Sequence, residues 1–156
     1  FTGIPNTERP LLVFEPLQVG DTWTDGRKTV EALPAVHSVP AVGYAAWGQG
    51  GAWVFSGDTG RNPAFWARVN QLPVAQLVIV TAFSDREADL ARRSQHLAPG
   101  TLSEGLASIA PHARYPIYIT HTKPAETELI MAEILRLDAA SLHDIRWLQA
   151  GQTFEL

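Results

Sequence analysis

Hydrophobic and polar positions along the chain follow a strand-like period first and a helix-like period later, and this change predicts a mixed α/β fold. Residues 11–17 and 28–33 are short segments with the composition or the period-two alternation of β strands. Residues 42–47 and 52–55 flank a glycine-rich turn, which predicts a hairpin. These four segments indicate an antiparallel region in the first third of the chain.

From residue 60 onward, apolar runs of strand length alternate with segments of helical period. The run at 76–82 is continuous, as in strands that are covered on both faces, and residues 115–120 predict another strand. Helix-start signals, all in this second part of the chain, are Asn62 with Pro63, the capping-box patterns at 84–87 and 101–104, and Pro124. Pro99 and Gly100 predict a break, and Gly151 predicts a turn between two short β-like pieces in residues 145–156.

Polar side chains follow three of the predicted strands at the points where those strands end. Asp58 follows the strand at 52–55, Thr81 and Ser84 follow the next apolar run, and His121 follows the strand at 115–120. If these strands are parallel neighbours, their carboxyl ends meet at one edge of the sheet, which is where open α/β sheets bind ligands. Carboxylate and imidazole groups are suitable ligands for zinc, manganese or iron. The sequence therefore predicts a metal site that contains Asp58 and His121.

Each of these residues also has a structural interpretation. An aspartate in a Ser-Gly-Asp-Thr-Gly segment is typical of turn hydrogen bonding, and a histidine beside a helix start, such as His121, is typical of a cap or a surface position. His96 ends a predicted helix, where the helix dipole favours a cationic ring. His112 and His143 lie in predicted surface turns and receive no role.

Composition and charge narrow the classes of function. The 156 residues, 46% of them apolar and 18% charged, suit one soluble domain. A net charge of -4 without a run of Lys or Arg makes a nucleic acid an unexpected partner. The chain has no cysteine, so any metal must be held by His, Asp or Glu. It also has no apolar segment of the ~20 residues that span a bilayer, and no membrane association is expected.

Several of these segments resemble a known superfamily. Residues 56–60 and 119–121 resemble the fourth and fifth metal motifs of the metallo-β-lactamase superfamily, in the same order and with similar spacing. Residues 81–87, 95–97 and 118–124 are similar to the branch of class II 3',5'-cyclic nucleotide phosphodiesterases. Residues 37–44 also resemble that branch and the related tRNA 3'-processing endonucleases. The resemblance extends over nearly the whole chain.

The resemblance implies a fold and roles for individual residues. The fold would be the carboxyl-terminal portion of an αββα sandwich, with a mixed sheet and flanking helices. Asp58 would bridge two divalent metal ions, usually zinc, and His121 would ligate one of them. His96 matches a histidine that lies over the scissile phosphate as a proton donor or oxyanion stabiliser. Ser84 and His37 are assigned to substrate binding, although His37 could equally be an outer-shell or core histidine.

The sequence departs from the superfamily pattern in two respects. The signature His-x-His-x-Asp-His and the third-motif histidine are absent, which leaves Asp58 and His121 as two ligands where a catalytic zinc usually has three. Val80 stands where relatives carry a glutamate that orients the proton-donating histidine. We therefore expect residues 1–156 to form a single incomplete domain that binds metal weakly. Its apolar sheet face would be exposed and would meet a missing amino-terminal half or a second copy in a homodimer.

The resemblance implies a metal-dependent phosphodiesterase that hydrolyses small 3',5'-cyclic nucleotides through a metal-activated hydroxide. Another hydrolase of the superfamily, such as a nuclease, is the first alternative. A non-catalytic half-domain or assembly module is the second. A cytoplasmic location is expected.

Overall fold

A seven-stranded mixed sheet forms the centre of the molecule in the computed structural model, which describes residues 14–155. The strands lie side by side in chain order: β1 (Thr22–Thr24), β2 (Thr29–Pro34), β3 (Val42–Trp47), β4 (Ala52–Phe55), β5 (Val74–Val80), β6 (Pro116–Thr120) and β7 (Asp144–Trp147). The helices are α1 (Pro63–Val69), α2 (Ala88–Ser94), α3 (Pro99–Ala107) and α4 (Thr127–Ile134). Short 3-10 turns lie at Asp85–Glu87 and Ala140–Leu142.

The sheet changes from antiparallel to parallel at β4. Strands β1 to β4 pair antiparallel, whereas β4 to β7 pair parallel. Parallel neighbours need crossover connections, and α1 lies in the β4–β5 crossover while α2 and α3 lie in the β5–β6 crossover. The carboxyl ends of β4, β5 and β6 consequently meet at one edge, as the sequence predicted.

The main core lies between one face of the sheet and the helices. Each strand from β2 to β6 contributes fully buried side chains, among them Leu33, Val54, Leu77 and Ile119. The helices contribute residues at helical spacing, namely Phe65, Trp66 and Val69 of α1, Leu102 and Leu106 of α3, and Ile130 and Ile134 of α4. These residues recur at the helical period that the sequence predicted for these segments, which accounts for the helix faces that form this core.

The opposite face of the sheet is apolar, as predicted, but it is less exposed than predicted. The carboxyl-terminal tail lies across it, and the ring of Phe154 contacts the rings of Trp53 and Tyr118 at centroid distances of 6.2 and 5.1 Å. Val78 and Tyr118 are buried, and Trp53 is partly buried. Aromatic side chains bury a large area each, so Phe154 covers the part of this face around Trp53 and Tyr118. Its pairing with a second copy or another half-domain stays a prediction.

Most predicted elements are confirmed to within two residues. The hairpin of β3 and β4 has the predicted bounds, and the predicted strands at 28–33, 76–82 and 115–120 correspond to β2, β5 and β6. Helix α1 begins as predicted, because the Asn62 side chain accepts a hydrogen bond from the Phe65 N–H at 3.1 Å and Pro63 is the first helical residue. None of the helices between residues 14 and 155 has the length and hydropathy that a membrane crossing requires.

Three helix starts were predicted wrongly. Ser84 makes no capping hydrogen bond, and a 3-10 turn precedes α2 there. Helix α3 begins at Pro99 instead of near Thr101, because a proline is well accommodated at the first helical position, where its missing N–H is not needed. The Thr101 hydroxyl instead accepts a hydrogen bond from the Ala98 N–H at 3.0 Å. The last helix, α4, begins at Thr127, three residues after Pro124.

Both ends of the described chain differ from the predicted β structure. Residues 14–17 form no strand, and residues 11–13 of that predicted strand lie outside the described residues. Strand β1 was not predicted, since three residues are too few to show a period. In the tail, Gly151 makes the predicted turn with a φ of 81°, but residues 152–155 form no second strand.

Candidate metal centre

The carboxylate of Asp58 lies between two imidazole rings at the edge where β4, β5 and β6 end. The Nδ1 atom of His121 lies 2.8 Å from Oδ1 of Asp58, and the Nε2 atom of His96 lies 3.8 Å from Oδ2. The two oxygens of one carboxylate therefore face different rings. His121 and Asp58 keep 53% and 39% of their side-chain surface exposed, whereas His96 keeps 14%.

Two glycines shape the loop that carries Asp58. Gly57 has a φ of 62°, and a Cβ at this position would lie 2.6 Å from the Val42 carbonyl oxygen. A Cβ at Gly60 would lie 3.3 Å from the Cα and carbonyl carbon of Gln95. These contacts show that the loop passes close to β3 on one side and to the end of α2 on the other. The second contact brings Asp58 near His96.

Thr59 and Asn62 attach the segment before β3 to the same loop. The Thr59 hydroxyl accepts a hydrogen bond from the Val36 N–H at 2.9 Å, and the Asn62 amide donates to the Pro34 carbonyl at 2.9 Å. His37 follows directly and is thereby held beside Asp58. These two residues supply side-chain hydrogen bonds of the turn, whereas the hydrogen bond described for the Asp58 side chain goes to His121. The turn interpretation therefore applies to Thr59 and Asn62.

His96 lies among other rings just after α2. Its ring centroid lies 4.8 Å from that of His37, 5.6 Å from that of Phe83 and 5.8 Å from that of His121. Burial lowers the pKa of His96, although a hydrogen bond to the Ser94 carbonyl acts in the opposite direction. The neutral ring is thus favoured, in contrast to the cationic ring expected from the helix dipole.

Backbone carbonyls at the end of α2 orient two of the histidine rings. Nδ1 of His96 lies 3.0 Å from the Ser94 oxygen, and Nδ1 of His37 lies 3.3 Å from the Gln95 oxygen. A carbonyl oxygen only accepts hydrogen bonds, so each Nδ1 carries a proton. The Ser94 carbonyl thus orients His96. In the superfamily that the sequence resembles, a glutamate at the position of Val80 has this role.

His121 ends β6 with a φ of 60°, which is unusual for a residue other than glycine. Left-handed backbone at a non-glycine residue costs on the order of 1–3 kcal/mol and is concentrated at functional sites. The cap interpretation of His121 receives no support from its side chain, which is bonded to Asp58 across the sheet edge.

The remaining predicted residues lie apart from this cluster. Ser84 is fully buried and lines neither of the clefts beside Asp58, so its role in substrate binding stays a prediction without a supporting contact. The Nε2 atom of His143 lies 3.1 Å from the Leu106 carbonyl, a structural contact. His112 is exposed at the other end of the sheet, near the start of β6. Neither histidine was given a role, and neither lies near Asp58.

Two clefts meet at Asp58 and Phe55, which line both. The larger has a volume of about 760 Å³ and the smaller about 320 Å³. His37 lines the larger cleft, and His121 lines the smaller one. The other walls are mostly apolar, and among the described residues that line either cleft there is no Lys or Arg.

The donor groups around Asp58 fit a divalent transition metal. One carboxylate and three imidazoles lie close together, and this is a set that zinc, manganese and iron accept. His37, Asp58 and His96 each offer one ligand atom, and these three atoms all lie within 4.8 Å of one another. The sequence left the role of His37 open, because no local motif places it beside Asp58. Its position depends on the hydrogen bond between Val36 and Thr59 and on the contact of its ring with the Gln95 carbonyl.

Solved structures with the same fold lie at low sequence identity. A metallo-β-lactamase fold protein, YhfI from Bacillus subtilis, superposes with a TM-score of 0.66 at 12% identity over 89% of this chain and 54% of its own. An isothiocyanate hydrolase from Delia radicum gut bacteria has a TM-score of 0.56 at 15% identity, over 91% of this chain and 59% of its own.

A third structure is zinc-bound PqqB from Methylobacterium extorquens, with a TM-score of 0.50 at 16% identity over 90% of this chain and 51% of its own. The chain thus spans about half the length of these proteins. No protein-family model matches the chain, and no curated protein matches it in sequence. At these identities the similarity is one of architecture. The described residues have the architecture of the part of the metallo-β-lactamase fold onto which they superpose.

Proposed function

We propose that the protein is a metal-dependent hydrolase of phosphodiesters that acts on 3',5'-cyclic nucleotides. The observation that carries the proposal is the Asp58 carboxylate, whose two oxygens face His121 and His96 where three parallel strands end. Two structures of the same fold, an isothiocyanate hydrolase and zinc-bound PqqB, support hydrolysis and zinc binding in this architecture.

Asp58 and His121 are the residues that would hold the metal. When bound, a metal of this kind lowers the pKa of a water ligand and neutralises charge that develops on a phosphate. The chain itself provides the remaining features. Phe55, Val78 and Val80 form an apolar wall of the smaller cleft. Such a wall lowers the local dielectric and strengthens the electrostatic interactions within the site.

The larger cleft suits a small ligand with an aromatic portion. Its volume of about 760 Å³ lies within the range typical of small-molecule sites. Tyr44 and Phe55 line it, and aromatic rings stack on nucleobases. The absence of Lys and Arg from the described lining disfavours a polynucleotide, whose binding depends on cations placed along the phosphate backbone. We therefore favour a cyclic nucleotide over the nuclease alternative.

The role of His96 as a proton donor, which the family resemblance suggested, stays a prediction, and two features of the structure oppose it. A donor at Nε2 must carry protons on both ring nitrogens, and burial disfavours that cationic form by lowering the pKa of His96. The separation of 3.8 Å between Nε2 and the Asp58 carboxylate is also too long for a hydrogen bond that would retain such a proton.

A hydrolysis panel tests the proposed function. The protein as its gene encodes it would be assayed with cyclic AMP, cyclic GMP, bis(p-nitrophenyl) phosphate and RNA, with zinc or manganese added. We expect turnover of the cyclic nucleotides and the chromogenic diester, and its loss in Asp58→Asn and His121→Ala. Asp138→Asn and His112→Ala are matched controls at exposed positions outside the site and should retain activity.

Three outcomes contradict the proposal in different ways. Turnover of RNA alone would favour the nuclease alternative. Turnover of no phosphodiester by a folded, metal-loaded protein would reject phosphodiester hydrolysis and favour a non-catalytic module. Activity that survives Asp58→Asn would place the active site elsewhere.

A further inference from the structure

We propose that His37, Asp58 and His96 form a metal-binding site of their own, on the opposite side of the Asp58 carboxylate from His121. The inference rests on the proposed function for the role of Asp58 as a metal ligand, and it identifies the other ligands. Three protein ligands would then come from residues 37–96, without the absent His-x-His-x-Asp-His signature. The weak metal binding expected from two ligands would not apply.

The protonation of the two rings supports this assignment. Because Nδ1 of His37 donates to the Gln95 carbonyl and Nδ1 of His96 donates to the Ser94 carbonyl, the neutral rings carry their lone pairs on Nε2. Histidines that bind a metal through one nitrogen almost always donate the other N–H to a carbonyl or carboxylate. Both rings have this outer-shell contact, and both contacts come from adjacent residues at the end of α2.

The separations require only a small adjustment to accommodate an ion. Ligands at ~2.05 Å from a tetrahedral zinc lie roughly 3.3 Å apart. Nε2 of His96 lies 3.8 Å from Oδ2 of Asp58, and the ligand atoms of the three residues all lie within 4.8 Å of one another. His37 and Asp58 also line the larger cleft, which leaves access for a water or substrate as a further ligand.

Asp58 would then bind two ions, one through each oxygen. Oδ2 lies toward His96, and a second ion bound between Oδ1 and Nδ1 of His121 would displace the proton that these two atoms share in the metal-free protein. The assignment competes with proton donation by His96. A ring that binds a metal through Nε2 and donates Nδ1–H to a carbonyl has no proton to transfer to a leaving group.

Metal titrations of the protein test the site without reference to activity. Zinc binding would be followed by isothermal titration calorimetry, and cobalt binding by visible absorption, which reports ligand number. We expect two ions for the unaltered protein. His37→Ala and His96→Ala should each lower the affinity for one ion by more than the ~10–100-fold that is typical when a hydrogen-bond partner of a ligand is lost. His121→Ala should lower the affinity for the other ion. His112→Ala is the matched control and should bind both ions.

A second measurement needs no substitution at the site. Histidine side-chain ¹⁵N spectra identify the protonated nitrogen in each ring and the nitrogen that binds zinc. We expect Nε2 of His37 and His96 to shift on zinc addition, with His112 unchanged. This measurement remains decisive if an alanine variant fails to fold.

The outcomes separate this site from the proposed function. Unchanged zinc affinity in folded His37→Ala and His96→Ala, with no shift at either Nε2, would overturn the three-residue site and leave proton donation as the role of His96. Zinc binding that depends on His37 in a protein without phosphodiesterase activity would support the site and reject the function. Phosphodiesterase activity with zinc binding that is independent of His37 would do the reverse.

Discussion

Nδ1 of His121 lies 2.8 Å from Oδ1 of Asp58, although 63 residues separate them in the chain. Asp58 follows β4 and His121 follows β6, and β5 lies between these strands in a parallel arrangement. Both residues leave their strands at the same edge, and the positive φ of His121 marks an abrupt end to β6. The contact between Asp58 and His121 therefore follows from the order of the strands in the sheet and from the sharp turns directly after β4 and β6.

We expect Asp58→Asn to alter function far more than stability. The hydrogen bond to His121 is solvent-exposed, and exposed ion pairs contribute about 0–1 kcal/mol. The free energy of unfolding, measured by urea denaturation in the presence of a chelator, should therefore change by less than ~1 kcal/mol. Zinc binding and hydrolysis should be lost in the same variant. A destabilisation of several kcal/mol would instead assign Asp58 a structural role in its turn.

Gly57→Ala should destabilise the protein by more than the ~1–3 kcal/mol cost of a left-handed alanine. The added Cβ would also lie 2.6 Å from the Val42 carbonyl oxygen. Both atoms are fixed to the backbone, so neither can move aside by a side-chain rotation. Gly20→Ala is the matched control, because Gly20 also has a positive φ but its Cβ would meet no atom of residues 14–155 within 4 Å. Denaturant titration of the two variants should separate strain from the steric clash. Equal losses would show that the loop relaxes away from β3.

The metal-free protein should lose stability as the pH falls through the range in which histidine titrates. Burial lowers the pKa of His96 in the folded state below its value of about 6.5 in the unfolded chain. The unfolded chain then binds more protons within this range, so the favourable contribution is present above pH ~6.5 and is lost as the pH falls through the lowered pKa. Unfolding free energies between pH ~7.5 and ~5 should show a shallower slope in His96→Gln than in the unaltered protein. An unchanged slope in His96→Gln would contradict the burial of this ring.

Arg68→Met should be more destabilising than the loss of an ordinary surface ion pair. Arg68 of α1 donates two hydrogen bonds of 2.7 Å to the Glu31 carboxylate on β2, and this contact raises the pKa of Arg68. Glu31 is only 7% exposed, so the variant leaves a nearly buried carboxylate unpaired. Breaking a buried pair costs ~3–5 kcal/mol, and we expect a value below that range because Arg68 remains about one-third exposed.

The double variant Glu31→Gln/Arg68→Met supplies the control for this pair. Removal of the charge from Glu31 should restore much of the lost stability, since the unpaired buried charge is then gone. Thermal unfolding of both single variants and the double variant measures the coupling. Additive losses would show that the two residues do not interact energetically.

Local patterns predicted the fold well where the signal depended on near neighbours. The hairpin, the Asn62 cap, the strand runs and the apolar helix faces all follow from residues within a few positions of one another. The start of α3 was missed because Pro99 is equally compatible with a break and with a first helical turn, and packing of Leu102 and Leu106 decides between them. The tail was missed because contacts of Phe154 with distant rings replace strand pairing.

The sequence by itself determined the alternation of strands and helices, the placement of Asp58 and His121 at strand ends, and the set of residue types available to a metal. These follow from side-chain periodicity, turn chemistry and the absence of cysteine. Only the tertiary structure decided that His37 and His96 share the site and that backbone carbonyls orient their rings. Those contacts depend on the close approach of Gly60 to Gln95 and on the tether from Thr59 to Val36, which join segments that no local pattern relates.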